Sequence, residues 1–115
     1  MQLEAKGHLA DVQKAVRLLR RFIQNKSFAD YELDALLRSG VERQLEIIGE
    51  ALNRLAKKDP QTAGQIREYR KIIAFRNVLI HGYDSVEDAV VWGVLESKLD
   101  TLLADVERLL SSESS

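Results

Sequence analysis

The chain has 115 residues, 45% of them hydrophobic and 30% charged, with a formal net charge of −1. That length suits one domain, residues 1–115, with enough apolar side chains for a core that needs no metal or disulfide staple. There is no cysteine, which excludes disulfide scaffolds and thiolate metal sites and is compatible with a reducing cytoplasm.

In chain order, the first apolar series is Leu9, Val12, Val16, Leu19 and Ile23. Its alternating three- and four-residue spacing marks one face of an amphipathic helix. Lys14, Arg17, Arg20 and Arg21 fall mostly off that stripe and read as a solvated face. Gln24-Asn25-Lys26-Ser27 ends the pattern as a loop. A second series, Leu37, Val41, Leu45, Ile48, Leu52 and Leu55, predicts a long helix from Tyr31 to Lys58 with Asp30 as its N-cap. Gly49 lies inside it, where glycine costs about 1 kcal/mol relative to alanine and a close helix–helix approach would account for it. Asp59-Pro60 is a helix-start signal. A third helical region follows, interrupted at Gly64, and runs to His81, with Gly82 suited to its C-terminus. Ser85-Val86-Glu87-Asp88 resembles a capping box. A fourth region carries Val86, Val90 and Val94, then Leu95, Leu99, Leu102, Val106 and Leu109, an offset that suggests a bend near Trp92-Gly93. The tail from Ser111 is expected to fray. No segment alternates with period two, so the expected fold is all-α, an up-down bundle of four to five helices.

The third region breaks the pattern. Ile72-Ile73-Ala74-Phe75 and Val78-Leu79-Ile80 are apolar almost all round, as expected of a helix buried in a core or at an interface. Into this run fall Arg76, Asn77 and His81. On a helical wheel Tyr69, Ile72, Ile73 and Ile80 lie within about 60° of Arg76, so the guanidinium occupies the middle of the apolar stripe. Such a charge needs a partner, for which Glu42, Glu46 and Glu50 are candidates, or else it lines a pocket. Singly, His81 reads as a helix-end polar group, Asn77 as an interhelical hydrogen bond and Tyr83 as a boundary aromatic. Their clustering with Arg76 within about two turns is what points to a site.

Arg76-Asn77, three residues, then His81-Gly82-Tyr83 resembles the arginine, four residues, histidine, one residue, tyrosine motif of HepT-type toxins in the HEPN ribonuclease superfamily. The flanking stretch from Val41 to Ala51 resembles that family's second helix, and Tyr83-Asp84 with Val91-Trp92 resembles its fourth, so the likeness runs from about Leu9 to Leu110. The family's usual Leu-Pro is here Leu99-Asp100, far in sequence from the motif. The resemblance implies a HEPN-like helical bundle that forms a homodimer and acts as a metal-independent endoribonuclease, the toxin of a toxin–antitoxin pair. It also implies a partner antitoxin, a minimal nucleotidyltransferase that adds AMP to the motif tyrosine, here Tyr83.

The residues suit that chemistry. Metal-independent cleavage uses the RNA's own 2′-hydroxyl and needs a base, an acid and positive charge for the transition state. Histidine serves proton transfer and arginine clamps phosphate oxygens. One chain offers one motif histidine, since His8 lies near the N-terminus with no evident link to the motif; a two-fold dimer would supply a second His81 and Arg76. Catalysis is therefore assigned to Arg76 and His81, with Asn77 and Tyr83 supporting. Arg67, Arg70 and Lys71 could hold RNA backbone, or equally form a solvated face paired with Glu68. Two distant histidines offer no metal site, and no cofactor is expected. Met1 to Lys6 shows no apolar export signal, and no apolar run approaches the roughly 20 residues that span a bilayer, so a cytoplasmic protein without a membrane partner is expected. The slightly acidic charge fits an alternative better: a non-catalytic helical partner of a separately encoded nucleotidyltransferase that binds nucleotide.

Overall fold

A computed structural model describes residues 1–82 and 86–112. Among these residues the chain forms only helices: α1 (Leu3–Ile23), α2 (Phe28–Leu33), α3 (Ala35–Lys58), α4 (Pro60–Ala63), α5 (Tyr69–His81) and α6 (Asp88–Ser112). The all-α bundle expected from the spacing is what forms.

The helix expected from Tyr31 to Lys58 is two helices. Ser27 and Asp30 make a reciprocal capping box, so a helix starts at Phe28, and Asp30 is its third residue rather than a cap. Asp34 then takes an extended conformation, φ −118° and ψ 95°, which breaks the chain. Its carboxylate accepts from Leu37 N–H at 3.0 Å and starts α3. The break turns Leu33 and Leu36 outward, 87% and 84% exposed. Tyr31 anchors α2 from the other side, fully buried with its ring centroid 5.5 Å from that of Trp92.

One apolar cluster joins the long helices. Leu9, Val12, Val16 and Leu19 of α1 meet Val41, Leu45, Ile48, Leu52 and Leu55 of α3. The two helices run antiparallel, because Lys58 reaches Glu4 at 3.5 Å while Gly40 lies against Phe22. In α6 the buried stripe is Val91, Leu95, Leu99, Leu102, Val106 and Leu109. Counting back four from Leu95 lands on Val91, not Val90 or Val94, so the stripe is continuous. Val90 is half exposed, Val86 precedes the helix, and α6 runs unbroken through Trp92-Gly93 without the expected interruption. The capping box expected to begin at Ser85 lies outside the described residues.

The link into α5 is anchored from α6. Asp105, 1% exposed, accepts from Arg67 N–H at 2.9 Å and from the Arg67 and Arg108 guanidinium groups. Glu68 then adopts φ 60°, a left-handed conformation uncommon outside glycine, and the chain enters α5. None of the described helices is long and apolar enough to cross a membrane.

Candidate active site

Helix α5 rests on α3, and Arg76 is its point of closest approach. A Cβ placed on Gly49 would lie 2.2 Å from Arg76 Cβ and 2.6 Å from Cγ, so only glycine admits this packing. The close approach inferred for Gly49 is therefore present, and its cause is Arg76. Of the three acids considered as partners, Glu50 is the one used: Arg76 Nη2 donates to Glu50 Oε2, while Arg76 Nη1 donates to Asn77 Oδ1 at 2.7 Å. Glu50 Oε1 also accepts from Arg54 Nε at 2.8 Å. One carboxylate thus holds two guanidinium groups side by side. Arg76 Nε is buried without a hydrogen-bond partner, the cost of pressing the side chain against α3. Glu46 lies 4.0 Å from Arg43 instead. Burial, reinforced by Asp88 and Glu46, pushes the Glu42 carboxyl above the usual carboxylate range.

The apolar character of α5 is only partly explained by α3. Leu79 is buried, but Val78 is 49% and Ile80 39% exposed. On the wheel Ala74, Asn77, Val78 and His81 share the face turned away from Arg76, and all four are exposed. Arg76 and His81 are separated by about 140° around the axis and about 7.5 Å along it. Within one protomer they address different surfaces: Arg76 is held against α3, and His81 stands in solvent at the last turn. Gly82 closes α5, its N–H donating to Val78 C=O at 2.8 Å. Its φ of −128° shows that no left-handed turn is made there. Tyr83, assigned a supporting role and the modification site, lies outside the described residues.

The three upstream cations lie at the other end of α5, around a shallow hollow that Arg76 does not line. Arg67 forks onto Asp105. Arg70 Nε donates to Tyr69 Oη at 3.1 Å and its guanidinium lies over that ring, 5.4 Å from the centroid. Lys71 meets Glu68 at 3.2 Å, and Lys98 meets the same carboxylate at 2.5 Å. For Lys71 the pairing with Glu68 is thus realised, while Arg67 is tied elsewhere.

His8 joins the site although the sequence shows no link between it and the motif. It lines a cavity of about 350 Å³ with Arg76, and with Asp11 it forms the α1 wall. Residues of α3 spaced three and four apart form the floor and rim, among them Arg43, Ile47, Glu50 and Arg54. The signal is present in the sequence as a second stripe on α3, about 150° around the helix from the core stripe. What the sequence cannot convey is that α1 and α5 close over it. Among the described residues no group of three histidine or acidic side chains is placed to hold a metal ion.

A family model described as "Ribonuclease HepT-like" matches residues 12–109, a span that contains every motif position. The chain is 29% identical over 109 residues to "Probable ribonuclease HepT" of Thermococcus cleftensis, covering 95% of this chain and 98% of that one. It is 27% identical over 106 residues to "Putative RNase TTE0752" of Caldanaerobacter subterraneus subsp. tengcongensis, covering 92% and 94%. No solved structure matches.

Proposed function

Because the chain belongs to the Ribonuclease HepT-like family, we propose that it is a metal-independent endoribonuclease, the toxin of a toxin–antitoxin pair. The observation that carries this reading is that the family match spans Arg76, Asn77, His81 and Tyr83, and that α5, which carries the first three, leaves Asn77 and His81 exposed. In this reading the RNA 2′-hydroxyl attacks the adjacent phosphorus, and the bond to the 5′-oxygen breaks. The products are a 2′,3′-cyclic phosphate and a 5′-hydroxyl end. His81 moves the protons, taking one from the 2′-oxygen or giving one to the departing 5′-oxygen. Arg76 stabilises charge on the phosphoryl oxygens, and Asn77 holds the guanidinium in place.

A single protomer offers one His81, displaced around the helix from its own Arg76. The working unit in this reading is a homodimer in which two α5 helices face each other and the two copies of His81 line one groove at the seam. Ala74 and Val78 supply the apolar contact that their exposure leaves unused. A cognate minimal nucleotidyltransferase is the antitoxin. AMP added to Tyr83 would set a phosphodiester anion beside the substrate phosphates and block the groove.

The test is RNA cleavage by purified protein in excess chelator, beside His81→Ala. The wild type should cut and the variant should lose at least about 100-fold, the ordinary contribution of a general acid or base, with an unchanged melting curve, since His81 is exposed. Equal cleavage by both proteins would remove His81 from the mechanism. No cleavage by either, with nucleotide still bound, would favour the docking-partner reading.

A further inference from the structure

Most of the cavity beside Arg76 takes no part in the motif chemistry, and its lining has a pattern. Arg43, Glu46, Ile47, Glu50, Ala51 and Arg54 form one stripe on α3, with Arg43 and Arg54 at its ends and Arg76 entering near the middle from α5. The two end arginines are eleven helical steps apart, a run of about 16 Å, which is longer than one nucleotide. Ile47, Ala51 and Ile80 give an apolar surface between the cations, and His8 and Asp11 close the opposite side. Arginines along a rim with an apolar floor suit a single strand whose phosphates track the rim and whose sugars and bases rest inside.

The charge balance permits this despite the acids. Glu50 is shared by Arg54 and Arg76, so that trio keeps one net positive charge. Among the described residues neither Nη of Arg54 has a hydrogen-bond partner, leaving a guanidinium edge for a phosphate. Arg43 is 70% exposed and only loosely engaged, 4.0 Å from Glu46. Asp11 and Glu46 can accept from base amino groups, which orients bases inward and phosphates toward the arginines.

We propose that the groove between α1, α3 and α5 is the track of the RNA strand, with Arg43 and Arg54 holding backbone phosphates on either side of Arg76; the choice of RNA as ligand rests on the ribonuclease reading. Binding is measured with a fluorescein-labelled 20-nucleotide 2′-O-methyl RNA of mixed sequence, which has no free internal 2′-hydroxyl and so separates binding from cleavage. Its affinity is followed from low to moderate salt for the wild type, Arg43→Gln, Arg54→Gln and Arg21→Gln. Removing one cation from the phosphates of a single strand flattens the plot of log affinity against log salt by about 0.7. The two groove variants should each show that change, and the double variant about 1.4. Arg21→Gln, which removes the same charge from outside the groove, should keep the wild-type slope. Arg43 and Arg54 are 70% and 64% exposed, so the variants should fold as the wild type does.

Groove variants with the wild-type slope, an equal flattening in Arg21→Gln, or no binding by the wild type would each overturn the proposal. The cleavage assay separates it from the reading beneath it. Cleavage with unaltered slopes removes the track and leaves the ribonuclease; flattened slopes without cleavage remove the ribonuclease and leave the track.

Discussion

A methyl group on Gly49 would meet the root of the Arg76 side chain rather than its flexible end. Rotating the arginine cannot relieve that contact, because Cβ moves only with the backbone of α5. Gly49→Ala should therefore force α3 and α5 apart, at about 1–3 kcal/mol, the ordinary cost of overpacking a fitted contact. It should also shift the guanidinium from Glu50 and reduce cleavage. Gly93→Ala is the control, since nothing lies within 4 Å of a Cβ there and alanine improves a helix interior by up to about 1 kcal/mol. Urea melts and cleavage rates of both variants are the measurement. Wild-type stability and activity in Gly49→Ala would mean the helices can separate freely and that the site does not depend on their closeness. The buried, unpartnered Nε of Arg76 is the other trace of this crowding.

Helix α5 is placed by contacts at its ends as much as by its apolar stripe. Asp105 anchors the chain just before it. Burial alone would raise that carboxyl, but hydrogen bonds from the backbone and guanidinium of Arg67, helped by Arg108, outweigh burial and hold it below the ordinary carboxylate range. A carboxyl depressed in the folded state stabilises the fold above its unfolded pKa, and that contribution disappears as pH falls through the lower folded value. Asp105→Asn should thus cost about 1.5–3 kcal/mol near neutral pH, the range for hydrogen bonds to a charged group. The gap from the wild type should narrow as pH drops below about 4, where an unfolded aspartate takes up its proton. Melting curves from pH 7 to pH 2 test it; a gap that stays constant across that range would show that charge on Asp105 is irrelevant. This anchor was not legible in the sequence, because Arg67 and Asp105 meet across separate helices. The helix stripes and the motif were legible, since both are local in sequence and repeat with the helical period. The break at Asp34 was not: Leu33, Asp34 and Ala35 are all tolerable in a helix, and the capping geometry of Ser27 and Asp34 decides the outcome. His8 escaped for the same reason as Asp105, since a histidine on one stripe says nothing of which helix will face it.

At the scale of the molecule, the apolar side chains that the protomer leaves exposed decide where the second copy of the proposed homodimer would sit. Two patches compete. One is the outer face of α5, where Val78 is half exposed beside the small Ala74 and between Asn77 and His81. The other is the corner of α2 and α3, where Leu33 and Leu36 stand out. A two-fold axis through the first patch lets small side chains bring the helices close, and places residue 78 near its own copy, with His81 from each chain at the seam. An axis through the second would leave each His81 alone in solvent. Val78→Asp sets two like charges against each other across the first axis, a change that costs little in a monomer whose residue 78 is half exposed. It should convert a dimer of about twice 13.1 kDa into a monomer in sedimentation or light scattering, keep the helical signal, and abolish RNA cleavage. Leu36→Asp should leave both mass and cleavage as in the wild type. If instead Leu36→Asp separates the chains and Val78→Asp does not, the dimer forms on the far corner, and the shared site must give way to one built on a single His81. The value of the pair is that each variant carries the same new charge and a similar reduction in apolar surface, so only the position of the interface can distinguish them.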